Sequence, residues 1–446
     1  MKPSFRILFA SAALLLATAT PSLKAAVADN AVRASIAGID LIAYPTGVKN
    51  VVTFRGSIPA GDSLAPEHNI AVPTLVGAML DQGTLKQDKF ALAQKLESVG
   101  ATLGFSVDGT MLTISGKCLA KDVPLVISLL AEQLREPAFP ESELEKVKKQ
   151  LAGDFQRALE STDYRANLAF SQAVYPIGHP NRDAPTEEFL AAVKTATVDD
   201  LRAFHRTYYG PAAFTLVVVG DINPTALQGE VGKAFAGWTG GKPAVAPARA
   251  RPTDSAKDQV VFIADKTNVS MIWGQTTGLK YSDPDALALR VGTNIFGSGF
   301  TGRLMANVRD REGLTYGIYA GVMNDTHTDG DWRIVANFSP ELLEKGIAST
   351  QRQLTDWYTK GVLPEEFARE QSNYIGTYKV TLATTTGMAN ALLASVQRGY
   401  GVSWPDELPK RVAAMTVDDV NNAIKKHVRP ESLVLIKSGT VPEVTK

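Results

Sequence analysis

The sequence predicts an α+β protein of two homologous domains, each an antiparallel-rich sheet covered by helices. The main observation is an internal repeat: Thr197-Val198-Asp199-Asp200 recurs as Thr416-Val417-Asp418-Asp419, 219 positions later (416 − 197). A helical pattern and then an apolar run follow each copy, Phe214–Gly220 in one half and Leu433–Ile436 in the other. A repeat this long indicates a duplicated domain rather than a solenoid.

Two further observations support the duplication. Pro140-Glu141 recurs as Pro364-Glu365, 224 positions later (364 − 140), and both open long patterns of helical spacing. Between the halves, Thr239–Thr253 is rich in Gly, Pro and Ala without an apolar period, which indicates an extended linker. We therefore divide the chain after its N-terminal segment into a first domain (29–238), a linker (239–253) and a second domain (254–446).

Strand patterns come first in the first half. Leu41–Pro59 alternates around the turn signal Pro45-Thr46-Gly47, which predicts paired strands. Ala101–Ser106 and Met111–Gly116 are predicted strands around a turn at Asp108-Gly109. Cys118, the only cysteine, lies in the strand-like string TMLTISGKCLA, and we interpret it as a buried small apolar residue rather than a nucleophile.

Helical spacing marks three further segments of this half. The patterns predict helices at Ala71–Asp81, Val123–Arg135 and Glu141–Leu159. Pro140, just before the last of them, suits the first turn of a helix. The second half repeats this alternation of strands and helix pairs.

The N-terminus has the pattern of a secretory signal peptide at residues 1–28. Lys2 and Arg6 precede an apolar run at Ile7–Thr18, and Ala26-Val27-Ala28 is an A-x-A cleavage candidate. The alternative is a membrane anchor, but the apolar run is short for a bilayer span. Cleavage predicts an exported, periplasmic protein.

Composition excludes little but is informative about partners. The 446 residues include 46 basic and 46 acidic side chains, with 45% hydrophobic content, as in ordinary globular proteins. Nucleic-acid binding usually requires a basic excess, so zero net charge argues against that class of partner.

Three segments together resemble the pitrilysin and mitochondrial processing peptidase family of zinc peptidases. They are Met79–Thr84 (MLDQGT), Tyr208–Ile222 (YYGPAAFTLVVVGDI) and Phe296–Gly321 (FGSGFTGRLMANVRDREGLTYGIYAG). The resemblance covers nearly the whole chain after the signal peptide, and it implies half of a clamshell-shaped peptidase. Active members carry H-x-x-E-H on one helix, where two histidines bind zinc and the glutamate polarises its water.

This chain departs from the family pattern at each zinc position. Alignment on Met79–Thr84 puts Thr74 and Ala78 at the histidines and Gly77 at the glutamate. The third family ligand, a glutamate, falls on Asp154, 76 residues after Ala78 (154 − 78). The resemblance therefore implies no metal in this chain, and we interpret Asp154 as solvated or salt-bridged.

Five histidines leave little room for a replacement zinc site. They are His68, His179, His205, His327 and His427, and no two lie within five positions of each other. Two alternatives remain: a zinc site built from three ligands distant in sequence, and an active peptidase with an unrecognised site. His179 lies in the loop YPIGHP, which family members also carry, and we interpret it as structural.

The second half holds the stronger functional signal. Family members carry an arginine and a tyrosine seven positions apart that reach towards the zinc site of the facing half, and Arg309 and Tyr316 match them. An arginine offers fixed donors to a peptide carbonyl, and a tyrosine hydroxyl can donate to a developing oxyanion. The alternatives are that Arg309 is simply solvated on a charged helix and that Tyr316 belongs to the core.

The same segment contains a glycine motif. Gly297–Gly302 spells G-x-G-x-x-G, but a dinucleotide fingerprint needs a preceding strand, and Pro284–Ile295 is helix-like. We predict a turn that leads into a helix at Arg303–Arg311. In the family this loop borders the substrate chamber, so the resemblance implies contacts with the substrate backbone at Gly297 and Gly299.

The resemblance is therefore to the companion subunit of bacterial heterodimers, which lacks H-x-x-E-H and keeps the arginine–tyrosine pair. It implies a homologous partner that bears H-x-x-E-H and holds zinc, while this chain supplies Arg309 and Tyr316 for endoproteolysis of unfolded peptides. The alternative is a catalytically silent scaffold or peptide-binding subunit. The sequence does not decide between a heterodimer and a homodimer, nor does it identify the substrate.

Overall fold

The computed structural model describes residues 26–243, 249–251 and 256–441. The predicted signal peptide at 1–28 lies almost wholly outside this range, as do residues 244–248 and 252–253 of the predicted linker. Within the described residues, no helix combines the length and the apolar character needed to cross a membrane. The domain bounds at 29–238 and 254–446 stay predictions.

Two sheets account for the strands of the described residues. The first sheet contains β1 (Val32–Ile36), β2 (Ile39–Pro45), β3 (Val52–Ile58), β4 (Thr102–Val107), β5 (Leu112–Cys118) and β6 (Thr215–Gly220). The second contains β7 (Lys257–Phe262), β8 (Val269–Thr276), β9 (Ile318–Met323), β10 (Asp331–Phe338) and β11 (Val434–Gly439).

Helices surround both sheets. In the first half they are α1 (Val27–Asn30), α2 (Val72–Met79), α3 (Lys89–Glu97), α4 (Val123–Arg135), α5 (Glu141–Ala158), α6 (Thr162–Val174), α7 (Thr186–Thr195), α8 (Val198–Tyr208) and α9 (Pro224–Ala234). In the second half they are α10 (Ala286–Gly297), α11 (Leu343–Lys360), α12 (Pro364–Leu382), α13 (Thr385–Gln397), α14 (Trp404–Ala414) and α15 (Val417–His427).

The strand orders match the sequence repeat. The first sheet has the order β1-β2-β6-β3-β5-β4 and the second β7-β11-β8-β10-β9, so the two agree once β1 is set aside. In each sheet one pair is parallel, β2 with β6 and β7 with β11, and the remaining pairs are antiparallel. The α+β fold class with two similar sheets is confirmed, and β4 and β9 are equivalent edge strands.

One predicted pairing is wrong. The strands within Leu41–Pro59 exist as β2 and β3, but they do not pair with each other, because β6 lies between them. Strand β6 is buried on both faces, which its unbroken apolar sequence requires, and only a central position provides that. The connection 46–51 needs to cross only two strand spacings, about 10 Å.

The other predicted elements of the first half are present. Strands β4 and β5 form the predicted hairpin, and α2, α4 and α5 coincide with the predicted helices to within two residues. Pro140 differs slightly, since it is the N-cap of α5 rather than part of its first turn.

The repeated Thr-Val-Asp-Asp string is a helix start in both halves. The hydroxyl of Thr197 accepts the backbone N–H of Asp200, whose carboxylate accepts the backbone N–H of Thr197. Thr416 and Asp419 form the same capping box at the start of α15. Each box satisfies two backbone donors at a helix N-terminus, which explains this residue pattern at both places.

One helix of each half packs on the sheet of the other half. Helix α6 of the first half packs on the second sheet, where Phe170 meets Ile272 and Ile436 in one apolar cluster. Helix α13 of the second half packs on the first sheet in the same way, with Leu392 in a cluster with Val217. Since full burial of one such side chain stabilises by about 1.5–3 kcal/mol, this reciprocal packing holds the halves together.

Candidate functional site

Helix α2 is where the family places its zinc, and here a hydrogen bond replaces the first ligand. Helix α2 packs against the edge strand β4. The hydroxyl of Thr74 donates to the carboxylate of Asp62 at 2.8 Å. Burial, together with the charge of nearby Asp108, raises the pKa of Asp62 to about 6 despite this hydrogen bond. The Thr74 oxygen is therefore committed to a neighbouring carboxyl group.

The glutamate position is closed by packing. Gly77 is buried, and a Cβ atom placed there would lie 2.5 Å from Cγ2 of Val107 on β4. A β-branched valine is stiff, so a side chain at position 77 would force the strand or the valine to move. Ala78, at the second histidine position, is a methyl group packed against the core. These residues do not fit a zinc ion.

Asp154 does not compensate for the missing ligands. It lies exposed on α5 and forms an ion pair with Arg157, three residues further along the same helix. This agrees with its interpretation as a salt-bridged surface residue.

The histidines also lie apart. Among the residues that the structure describes, no group of three or more His, Cys, Asp or Glu side chains is arranged to hold a metal. The histidine environments are separate: His68 contacts Asp200, His179 contacts Asp329, His205 contacts the carbonyl of Leu134, His427 contacts Asp285, and His327 lines a cavity between the halves. Buried His179 is consistent with a structural role. Cys118 is buried as predicted, and burial raises the pKa of its thiol to about 12.

Arg309 and Tyr316 lie side by side at the surface of the second half. The guanidinium carbon of Arg309 is 5.3 Å from the centre of the Tyr316 ring, within the range of a cation–π contact. Tyr316 is 90% exposed, so the alternative that it belongs to the core is wrong. Its hydroxyl has no hydrogen-bond partner among the described residues and is free to donate.

Arg309 makes one side-chain hydrogen bond and keeps most of its N–H donors free. Its Nη1 donates to the carboxylate of Asp310 at 2.9 Å, and within the described ranges Asp310 is the only hydrogen-bond partner of the guanidinium. A guanidinium has five N–H donors, so most of them stay available to a ligand. The side chain is 28% exposed, which places the charge at the surface rather than fully in water.

A π-helical segment, Met305–Arg311, carries Arg309 where the sequence predicts a helix at Arg303–Arg311. Its wider turns are common at functional sites. Ion pairs fasten both ends to the helices behind it. Arg303 binds Glu366 of α12 through two hydrogen bonds, of 2.8 and 2.5 Å. Glu312 accepts from Ser349 and Arg352 of α11, each at 2.9 Å.

The two glycines predicted to contact substrate, in the turn before this segment, differ in accessibility. Gly297 is buried at the end of α10, and a Cβ there would lie 2.3 Å from the backbone nitrogen of Ala320 on β9. A ligand cannot reach it, so substrate contact at Gly297 is not supported. Gly299 is exposed, with a φ of +63° that favours glycine.

Sequence reasoning missed two residues here. Phe300 follows Gly299, is 70% exposed and lies 5.3 Å from the guanidinium carbon of Arg309. An aromatic residue inside a glycine-rich turn was the available signal. Asp62 was missed because nothing local links it to Thr74, twelve positions later.

A cavity of about 720 Å³ lies between the halves, apart from Phe300, Arg309 and Tyr316. The turn of the β4–β5 hairpin, the turn of the β9–β10 hairpin, α6 and α13 all line it. Its lining is mainly polar, and it includes Asp62 but neither Arg309 nor Tyr316.

Comparison with known proteins agrees with this geometry. Residues 46–179 match the model described as insulinase (peptidase family M16), and residues 195–374 match that of the peptidase M16 inactive domain. A relative from Helicobacter pylori, named non-peptidase homolog YmxG, is 23% identical over 86% of each chain.

Two solved structures share the fold. The peptidase M16 inactive domain from Pseudomonas fluorescens superposes with a TM-score of 0.85 at 22% identity, over 93% of this chain and 99% of that one. The periplasmic protease PqqL from Escherichia coli gives a TM-score of 0.73 at 14% identity, over 99% of this chain and 49% of PqqL. With family models matched in both halves and the fold shared along nearly its whole length, the chain belongs to peptidase family M16.

Proposed function

We propose that this chain is the non-zinc subunit of a heterodimeric, periplasmic metallopeptidase. A homologous companion bearing H-x-x-E-H holds the zinc, and this chain contributes Arg309 and Tyr316 to the shared site. The exported location rests on the signal-like N-terminus at residues 1–28. The reaction is hydrolysis of internal bonds in unfolded peptides that fit between the two subunits.

One contrast supports the proposal most strongly. The two zinc-ligand positions on α2 are occupied by Thr74 and Ala78 and the glutamate position by Gly77, and the last two residues are packed into their surroundings. Arg309, half-buried at the surface, and exposed Tyr316 are adjacent, and both have free donors. The zinc-binding pattern is therefore missing from α2, whereas the arginine–tyrosine pair is accessible at the surface.

The two side chains have separate chemical tasks. The guanidinium of Arg309 is always charged, and its planar donors suit a peptide carbonyl, so it holds and polarises the backbone of the substrate. The hydroxyl of Tyr316 donates to the oxygen that gains negative charge as the carbonyl becomes tetrahedral. The ion pairs behind the π-helical segment fix the backbone that carries Arg309.

The free edge of β9 provides a way to hold an extended peptide. Strand β9 pairs only with β10 among the described residues and begins two residues after Tyr316. Its outer backbone groups can add a peptide strand, with main-chain hydrogen bonds that do not depend on sequence.

Co-purification tests the assembly. The tagged chain is isolated from its native periplasmic extract, and bound proteins are identified by mass spectrometry. We expect a near-stoichiometric companion with H-x-x-E-H, and peptide hydrolysis by the pair but by neither chain alone. Recovery of this chain without such a companion would contradict the proposal.

A silent scaffold is the competing function. It predicts a stable complex whose turnover does not change when Arg309 or Tyr316 is replaced. The exposure and free donors of the pair favour the catalytic contribution.

A further inference from the structure

We propose that Phe300 determines specificity, because its exposed ring receives an apolar side chain of the peptide bound beside Arg309 and Tyr316. The inference deepens the proposed function, and it rests on that function only for the statement that the bound peptide is a substrate. The occupant is an extended peptide segment with at least one large apolar side chain.

The exposure of Phe300 has no explanation within the fold. The ring is 70% exposed and belongs to none of the apolar clusters of the described residues. Among the described residues, its ring makes one aromatic or cation–π contact, with the guanidinium of Arg309. A single exposed phenylalanine is ordinary, but here a second ring, Tyr316, is 90% exposed beside the same guanidinium.

The backbone fixes where this ring stands. Gly297 anchors the start of the turn, because it packs against the backbone of Ala320. Gly299 has the positive φ that reverses the chain just before Phe300. Gly302 closes the turn, where a Cβ would lie 2.9 Å from the carbonyl oxygen of Ser298. The turn therefore places Phe300 beside Arg309, with the ring centre 5.3 Å from the guanidinium carbon.

The chemistry of the three side chains specifies a peptide. The guanidinium carbon of Arg309 is 5.3 Å from the ring centres of both Phe300 and Tyr316. The guanidinium keeps free N–H donors. Such a surface binds a carbonyl acceptor next to an apolar group, and each apolar residue of a peptide presents that combination. The positive charge disfavours cationic ligands, and the nearby edge of β9 accepts only an extended backbone.

A binding experiment on the full chain alone tests the inference. The probe is a fluorescein-labelled decapeptide of Gly, Ser and Ala with one central Leu, compared with the same peptide carrying central Ser. Affinities are measured by fluorescence anisotropy for the wild type, Phe300→Ser and Phe300→Leu. The matched control is Phe90→Ser, because Phe90 is 73% exposed in the first half, away from any such arginine pair.

We expect the wild type to bind the Leu peptide about tenfold more tightly than the Ser peptide. Phe300→Ser removes this preference, Phe300→Leu keeps part of it, and Phe90→Ser leaves it unchanged. An unchanged preference in Phe300→Ser, or no binding of the Leu peptide to the wild type, would overturn the inference. The measurement needs no companion and no turnover, so its failure is distinguishable from failure of the proposed function.

Discussion

The two halves place a helix against an equivalent edge strand, and they differ in what they do with that arrangement. In the first half α2 meets β4 through Gly77, and in the second half α10 meets β9 through Gly297. The first contact surrounds the zinc positions with packed side chains. The second is followed by a turn and a π-helical segment that carry Arg309 at the surface, with exposed Tyr316 beside it. The comparison teaches that close helix–strand packing belongs to the repeated fold, whereas the chemistry beside it varies independently.

The largest expected effect concerns Tyr316 in the second half. Replacement of Tyr316 by Phe removes one donor and keeps the ring, so the kcat of the assembled complex should fall about 10²–10³-fold. Peptide hydrolysis under saturating substrate measures it. Tyr358→Phe is the matched control, since Tyr358 is half-buried on α11, outside the proposed site, and it should leave kcat unchanged. Equal turnover of Tyr316→Phe and wild type would show that the Tyr316 hydroxyl takes no part in the reaction.

The second prediction compares the two glycine contacts. A Cβ at Gly297 meets backbone atoms of Ala320, whereas a Cβ at Gly77 meets the side chain of Val107. Because backbone yields less readily, Gly297→Ala should lower the free energy of unfolding by about 3 kcal/mol and Gly77→Ala by about 1–2 kcal/mol. Urea denaturation measures both. The reverse order would mean that the two contacts differ in some other way.

The third prediction concerns the carboxyl group that holds Thr74. The pKa of Asp62 is about 6 in the fold against an ordinary value of 3.8, so the folded protein binds this proton more tightly than the unfolded chain. Stability should therefore fall as pH rises from about 4 to about 6.

Asp62→Asn should remove this part of the pH dependence, because an amide accepts from Thr74 without ionising. At pH 7 it should raise the free energy of unfolding by about 1–2 kcal/mol. Denaturation curves at pH 4, 5, 6 and 7 measure the effect. A wild-type stability that rises over this range in step with the variant would argue against a buried carboxyl group here.

The smallest effects belong to the feature that the halves share. Thr197→Ala and Thr416→Ala each remove one capping box, and each should cost about 1 kcal/mol of stability. Thr197→Ser and Thr416→Ser, which keep the hydroxyl, should be close to neutral. A large difference between the two Ala variants in urea denaturation would mean that the repeated caps are not equivalent.

Periodicity and repeated strings predicted much of this fold, because local patterns decide helices, caps and hairpins. The Thr-Val-Asp-Asp starts of α8 and α15 and the β4–β5 hairpin follow from such patterns. The insertion of β6 between β2 and β3 did not, because it depends on burial of β6 on both faces by distant elements.

The candidate site divides in the same way. Resemblance identified Arg309 and Tyr316, but only the structure shows that their side chains adjoin and that Gly297 is buried. Phe300 and Asp62 depend on contacts between separate segments, which no local pattern reveals.

The central claim is that Arg309 acts on a substrate held at a site shared with the companion. Its most direct test is peptide turnover by the assembled complex with Arg309→Ala, compared with Arg311→Ala. Arg311 lies two positions away in the same π-helical segment, where it donates to Asn307 at 2.7 Å. We predict that Arg309→Ala lowers turnover about 100-fold and Arg311→Ala less than about twofold, with the complex intact in both. Equal turnover of the two variants would contradict the account and leave this chain as a scaffold.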